Sequence, residues 1–62
     1  MAVYYYAEYQ VFETKEDAFN AMMHMPGARV WAHDFEGSFQ DFEAEFERDG
    51  TEALYSGRLV SR

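Results

Sequence analysis

Residues 38–50 read SFQDFEAEFERDG, and the fold depends on whether this stretch is a helix or a strand. As a helix, it places three phenylalanines on one face, because residues three and four apart are neighbours on a helix: Phe39, Phe42 and Phe46. Ser38 and Asp41 then form a start that resembles a capping box, and Gly50 suits the end of a helix. The spacing therefore predicts a helix over residues 38–49.

The same stretch also fits a strand. Apolar and acidic residues alternate within it, and Asp49-Gly50 is a favourable hairpin turn. This alternative gives a β-α-β-β-β order in which residues 42–60 form a hairpin. It would set Glu47 opposite Glu52, and like charges directly opposite each other destabilise a sheet. Because Glu and Ala also prefer helices, the helix is the favoured prediction.

The flanking sequence predicts the remaining elements. Tyr- and Val-rich or alternating segments predict strands over residues 3–12, 28–35 and 51–60. A helix is predicted over residues 14–25, with Thr14 as its N-cap and Pro26-Gly27 as its end. The order is then β-α-β-α-β: a small α+β class of fold, one domain over residues 1–62, with two helices packed on a three-stranded sheet. A strand, helix and strand in succession also predict a right-handed crossover and a parallel pair.

The net charge of −7 is confined to one segment. Residues 34–52 contain eight acidic residues and one basic residue, Arg48, and 8 − 1 accounts for the full excess of seven. The rest of the chain balances four acidic against four basic residues. Direct binding to nucleic acid or to an anionic membrane needs Lys and Arg, so both are disfavoured. We expect a basic protein partner, such as a nucleic-acid-binding enzyme or complex.

The acidic segment supplies the predicted binding residues. On a helix, neighbours three or four apart are about 5–6 Å from each other, so carboxylates can stand in for a line of phosphates. The predicted electrostatic surface consists of Glu36, Asp41, Glu43, Glu45, Glu47 and Asp49. Its predicted apolar contacts are Met23, Tyr4 and Tyr6, whereas Met22 and Met25 are assigned to the core. Two other interpretations of the acidic segment stay open: a solvated helix face that keeps a small domain soluble, and adaptation to high salt.

Several functional classes lack their sequence signatures. The chain has no cysteine, no Gly-rich phosphate loop and no nucleophile motif. His24 and His33 fit no metal-ligand spacing, and as neighbours on a strand His33 and Asp34 point to opposite faces. No catalytic residue, metal or cofactor is therefore predicted. The first ten residues do not resemble a signal peptide, and we expect a cytoplasmic, non-enzymatic protein.

In size, charge and lack of catalytic signatures, the chain is similar to the heterogeneous class of small phage-encoded inhibitors, which includes anti-CRISPR and anti-restriction proteins. The likeness is one of general character and rests on no motif. It implies an acidic inhibitor of a nucleic-acid-handling enzyme in the host cytoplasm. Two alternatives stay open: a small homo-oligomeric structural protein, for example a homodimer, whose acidity serves only solubility, and a small oligomeric enzyme or ligand-binding protein with a pocket lined by His24 or His33.

Overall fold

A computed structural model describes residues 2–49 and 57–60 of the chain. Its elements are β1 (Ala2–Ala7), β2 (Gln10–Phe12), α1 (Lys15–Ala21), a 3-10 turn (Met22–His24), β3 (Val30–Phe35), α2 (Phe39–Asp49) and β4 (Arg58–Val60). The strands form one sheet in the order β2-β1-β3-β4, and every neighbouring pair is antiparallel. The predicted α+β fold with two helices on a sheet is confirmed, but the described residues form four strands and not three. Part of the predicted last strand, residues 51–56, lies outside the described residues.

The predicted single strand over residues 3–12 is wrong, because the chain reverses at Glu8 and Tyr9. Ala7 pairs with Gln10, so β1 and β2 form a hairpin with a two-residue turn. Glu8 adopts a left-handed φ of 55° there, a conformation that glycine adopts more easily. The predicted parallel pair is also wrong, because β3 lies antiparallel to β1. Since β2 and β3 are each antiparallel to β1, they run in the same direction, and α1 connects them across β1.

The two helices lie on opposite faces of the sheet. On one face, Ala18 and Met22 of the α1 layer pack against Ala7 and Val30. On the other face, Phe42 of α2 packs against Tyr4, and further apolar side chains surround this pair: Ala2, Tyr6, Val11, Phe35, Phe39 and Phe46. Successive residues of β1 point to alternate faces, so this strand contributes to both cores. Both sides of the sheet are therefore covered around β1.

The start of α1 agrees with prediction, but the helix is shorter than the predicted one. The backbone N–H of Asp17 donates to the Thr14 hydroxyl at 3.1 Å, which makes Thr14 the N-cap. After seven residues α1 gives way to the 3-10 turn Met22–His24. Proline disfavours helical dihedrals in the residue before it, and Met25, which precedes Pro26, has φ −126° and ψ 80°. The proline thus ends the helical segment.

The helix predicted over residues 38–49 is confirmed, and the alternative hairpin over residues 42–60 is wrong. The capping box also forms. The backbone N–H of Asp41 donates to the Ser38 hydroxyl at 3.2 Å, and the Ser38 N–H reaches the Asp41 carboxylate at 3.5 Å. These bonds satisfy two of the N–H groups that a helix start leaves without intrahelical partners.

An aromatic cluster holds α2 on the sheet. Phe42 is 1% exposed, and its ring centroid lies 5.3 Å from those of Tyr4 and Phe35 and 5.7 Å from that of His33. The Tyr4 hydroxyl donates to the Gly37 carbonyl at 3.0 Å, which joins β1 to the loop before α2. Aromatic pairs at such distances add about 0.5–1.5 kcal/mol beyond area burial. The outward side of α2 is consequently displayed on a fixed support.

Candidate protein-binding surface

The acidic side chains of α2 form two rows, one on each flank of the helix. At about 100° per residue, Glu43 and Glu47 lie on the flank towards β2, and Asp41 and Glu45 lie on the other flank. A ridge between the rows consists of Gln40, Ala44 and Arg48. The rows are about one helix diameter apart, 10–12 Å, so a group above the ridge lies about half that distance from each row, within the Debye length of about 8 Å at physiological salt. A charged partner above the ridge therefore interacts with both rows.

The predicted carboxylates differ in their surroundings. Glu36, Asp41, Glu43 and Glu47 are exposed, although Asp41 also caps α2. Glu45 is half-buried, so it contributes less to the predicted electrostatic surface than its exposed neighbours do. Asp49 ends the helix, and its side chain lies outside the described residues.

Asp34 belongs to the acidic segment but not to the acidic surface. Its carboxylate accepts hydrogen bonds from Arg58 at 3.0 and 3.4 Å. Asp34 pairs with Val3 and Arg58 pairs with Ala32 in the sheet, so the ion pair lies on the face that α1 covers. Arg58 thus neutralises a carboxylate of the opposite face and leaves the charge around α2 unchanged.

The three predicted apolar contacts have different positions. Tyr4 is 8% exposed and is a core residue beneath α2, so its assignment as a surface contact is corrected. Tyr6 is half-buried, and its ring centroid lies 5.0 Å from that of Phe46. Burial raises the pKa of Tyr6 above its ordinary value, and Tyr9 and Glu8 raise it further, so Tyr6 is neutral at physiological pH. Met23 is 55% exposed, and its role in binding stays a prediction.

A groove of about 320 Å³ separates β2 from α2. Its lining consists of Tyr9, Gln10, Val11, Glu43, Phe46 and Glu47. Val11 and Phe46 are half-buried, whereas Tyr9 at the hairpin turn is 82% exposed. The sequence prediction missed the contribution of Tyr9 and Val11, because it placed both within one uninterrupted strand over residues 3–12. No Gly or Asn marks this turn.

A second groove, of about 490 Å³, lies where α1 ends and β3 begins. Three of its lining side chains are notably exposed: Met23 at 55%, Met25 at 44% and Leu59 at 54%. Arg29 also lines this groove, and it lines a third groove beside Tyr6 and Trp31. Met25 was predicted to be a core residue, and that prediction is wrong; Met22 is buried as predicted.

The two histidines lie on different layers of the molecule. His24 is exposed at the end of the 3-10 turn beside α1, whereas His33 packs beneath α2 against Phe42. The grooves described above include neither histidine in their linings. Within residues 2–49 and 57–60, no three His, Asp or Glu side chains are grouped as a metal site.

Comparison with known proteins gives no functional assignment. No protein-family model, curated protein or solved structure matches the chain. Among the described residues, neither helix has the length and apolar character that crossing a bilayer requires.

Proposed function

We propose that this chain is a non-enzymatic binding module, an inhibitor of the anti-CRISPR or anti-restriction type, that presents α2 to a basic surface of a nucleic-acid-handling protein. Every second residue from position 41 to position 49 is acidic. Two residues of helix rise about 3.0 Å, and successive phosphates of one DNA strand rise about 3.4 Å. The charge spacing of α2 along its axis therefore resembles that of a nucleic-acid strand.

The observation that carries the proposal is the like-charge arrangement on α2. Asp41 and Glu45 are four residues apart on one flank, and so are Glu43 and Glu47 on the other. Each such like pair destabilises a helix by about 0.2–0.5 kcal/mol, and Arg48, three residues after Glu45, can offset this on one flank only. Solubility alone does not require this cost, because mixed Glu and Lys pairs also keep a surface charged and would stabilise the helix. A cationic partner would remove the repulsion, which favours recognition over simple solubilisation.

The arrangement suits fast, salt-sensitive association. Complementary surface charges accelerate encounter, whereas buried contacts determine how long a complex persists. The charges around α2 are concentrated on one face of the sheet, so they would also orient the approaching partner. Binding should consequently weaken as ionic strength rises.

A capture experiment with charge-reversed baits tests the proposal. Glu36→Lys with Glu47→Lys alters the α2 side, and Glu13→Lys with Glu16→Lys alters the α1 side; all four residues are exposed. Each pair changes the net charge by +4, from −7 to −3. We expect host-lysate proteins retained by the wild type at low salt to be lost with the α2 variant and kept with the α1 variant. An added DNA oligonucleotide should release them, because it competes for the same basic surface.

Circular dichroism of both variants provides the control for folding. If no protein discriminates between the two folded variants, or if the discriminating proteins are unaffected by the oligonucleotide, the proposed function is rejected. If salt alone elutes the same proteins from both variants, the binding is general charge attraction. That result would also reject the proposed function.

Self-association is a second candidate, favoured by the exposed apolar side chains of the groove where α1 ends and β3 begins. Met23, Met25 and Leu59 line it together, and burying them between two copies would add to the small core of a short chain. Sedimentation equilibrium of the wild type and of Met23→Gln decides between a homodimer and a monomer. A wild type that stays monomeric at high concentration rejects this candidate.

A further inference from the structure

We infer that the groove between β2 and α2 receives an arginine side chain of the basic partner. This inference rests on the proposed function and names the chemical group that the acidic surface recognises. It depends on the lining of one groove and not on the total charge of the chain.

The walls of this groove provide two carboxylates with suitable spacing. Glu43 and Glu47 are both exposed, lie one helical turn apart and line the same groove. Neighbours at this spacing are about 5–6 Å apart. A planar guanidinium between them can donate to both carboxylates, and charge-assisted hydrogen bonds of this kind are stronger than neutral ones. The bound cation would also remove the repulsion between the two glutamates.

The floor and rim of the groove suit the rest of an arginine. Val11 and Phe46 provide half-buried apolar surface, against which the methylene stem of an arginine can pack while its charged end stays near water. Tyr9 lies at the rim with 82% of its surface exposed. A guanidinium can stack on such a ring through cation–π attraction. Phe46 is itself held by Tyr6, at a centroid distance of 5.0 Å, so the floor is fixed.

The charge of the lining separates this groove from the two others. Arg29 lines both of the other described grooves: the described lining of the larger one has no carboxylate to offset it, and in the third Glu8 balances its charge. Among the described residues that line the groove beside β2, there are two carboxylates and no Lys, Arg or His. Of the three grooves described, only the one between β2 and α2 has a net negative lining, so charge complementarity assigns the cationic occupant to it. Arginine fits better than lysine, because its planar group can contact two carboxylates and an aromatic ring at once.

Two-dimensional amide NMR with a hexa-arginine peptide tests the inference. We expect saturable shifts that are largest at Tyr9, Val11, Glu43 and Glu47, together with weaker binding of a hexa-lysine peptide of the same charge. Tyr9→Ser keeps the net charge and alters an exposed ring. It should lower the affinity for hexa-arginine by about two- to fivefold, the range for an exposed cation–π contact.

A matched pair of charge variants separates the groove from the overall field. Glu43→Gln with Glu47→Gln should weaken hexa-arginine binding by about two- to thirtyfold, the range for two exposed ion pairs. Glu13→Gln with Glu16→Gln makes the same change in net charge on the α1 side and should weaken binding by less than about twofold. Well-dispersed amide spectra of all variants establish that they are folded.

Three outcomes would overturn the inference. They are equal losses in the two charge variants, no loss in Tyr9→Ser, and shifts confined to Glu36, Asp41 and Glu45. Each of these leaves the proposed function to stand on the capture experiment, since α2 could still attract a basic surface without a defined groove. Conversely, if the capture experiment rejects the proposed function but the NMR results are positive, the groove binds arginine and has no nucleic-acid-mimicking role.

Discussion

Replacing Phe42 with alanine tests whether the aromatic cluster holds α2 on the sheet. The Phe42 side chain is 1% exposed, and its ring contacts those of Tyr4, Phe35 and His33. Deleting a buried phenylalanine ring costs about 3–5 kcal/mol. A chain of 62 residues has a total free energy of unfolding of roughly 3–9 kcal/mol, at 0.05–0.15 kcal/mol per residue. The variant should therefore lose a third or more of its stability, up to complete unfolding.

Urea unfolding followed by circular dichroism and by Trp31 fluorescence measures this loss. Phe42→Leu should lose less than Phe42→Ala, because more of the buried volume is kept. Glu43→Ala, at the exposed neighbouring position, should stay within about 0.5 kcal/mol of the wild type. A loss below about 1 kcal/mol in Phe42→Ala would refute the reasoning, since a fully buried anchor cannot be that dispensable.

Substitutions at three further residues each test a single feature of the fold. Tyr4→Phe removes the hydroxyl that donates to Gly37 and should lower the free energy of unfolding by about 0.5–1.5 kcal/mol; an unchanged urea midpoint would contradict this. Glu8→Gly should raise stability by up to about 1 kcal/mol, because left-handed dihedrals strain residues that carry a Cβ. Glu8→Ala keeps that strain, so equal midpoints for the two Glu8 variants would refute the explanation. Because burial raises the pKa of Tyr6 above 10.0, the folded state holds this proton more tightly than the unfolded chain does. Its contribution to stability is therefore complete below pH 10.0 and is lost as the pH rises through the folded value. As the pH is raised above 10.0, the free energy of unfolding measured in urea should fall less for Tyr6→Phe than for the wild type. An equally steep fall in both would assign the pH dependence to other groups.

Local sequence signals predict the start of both helices and the extent of α2. The spacing of Phe39, Phe42 and Phe46 and the pairing of Ser38 with Asp41 are contained within a few residues, so they identify α2 without knowledge of the rest of the fold. The same holds for Thr14 at the start of α1. These predictions succeed because helix formation depends on neighbours three and four residues apart.

The hairpin could not be predicted in the same way. Glu8 and Tyr9 lack the Gly, Asn or Asp that usually marks a two-residue turn, and Glu8 instead takes the left-handed conformation itself. Apolar and polar residues continue to alternate past this point, so the pattern conceals the reversal. The turn also changes which face each later residue occupies. Val11 pairs with Tyr6 on the α2 side, whereas an uninterrupted strand would place it on the other face.

The same reversal explains what the sequence revealed of the candidate site. The acidic rows follow from the helical period of α2, and Glu43 and Glu47 were accordingly predicted as surface residues. The groove needs Tyr9 and Val11 from β2 as well, and their positions depend on a tertiary pairing. Tyr4 was assigned to the surface because the pattern of β1 does not specify which helix covers which face.

The groove connects recognition to stability, because its floor belongs to the core. Phe46 packs on Tyr6 of β1, so the position of Glu43 and Glu47 relative to β2 exists only while α2 is docked. A cation that binds this arrangement and not the unfolded chain stabilises the fold by mass action. The unfolded chain, however, carries the same net charge of −7 and also attracts cations. Stabilisation by a polycation therefore measures only how much more tightly the folded groove binds it than the unfolded chain of equal charge does. This excess affinity distinguishes a binding site from an acidic sequence.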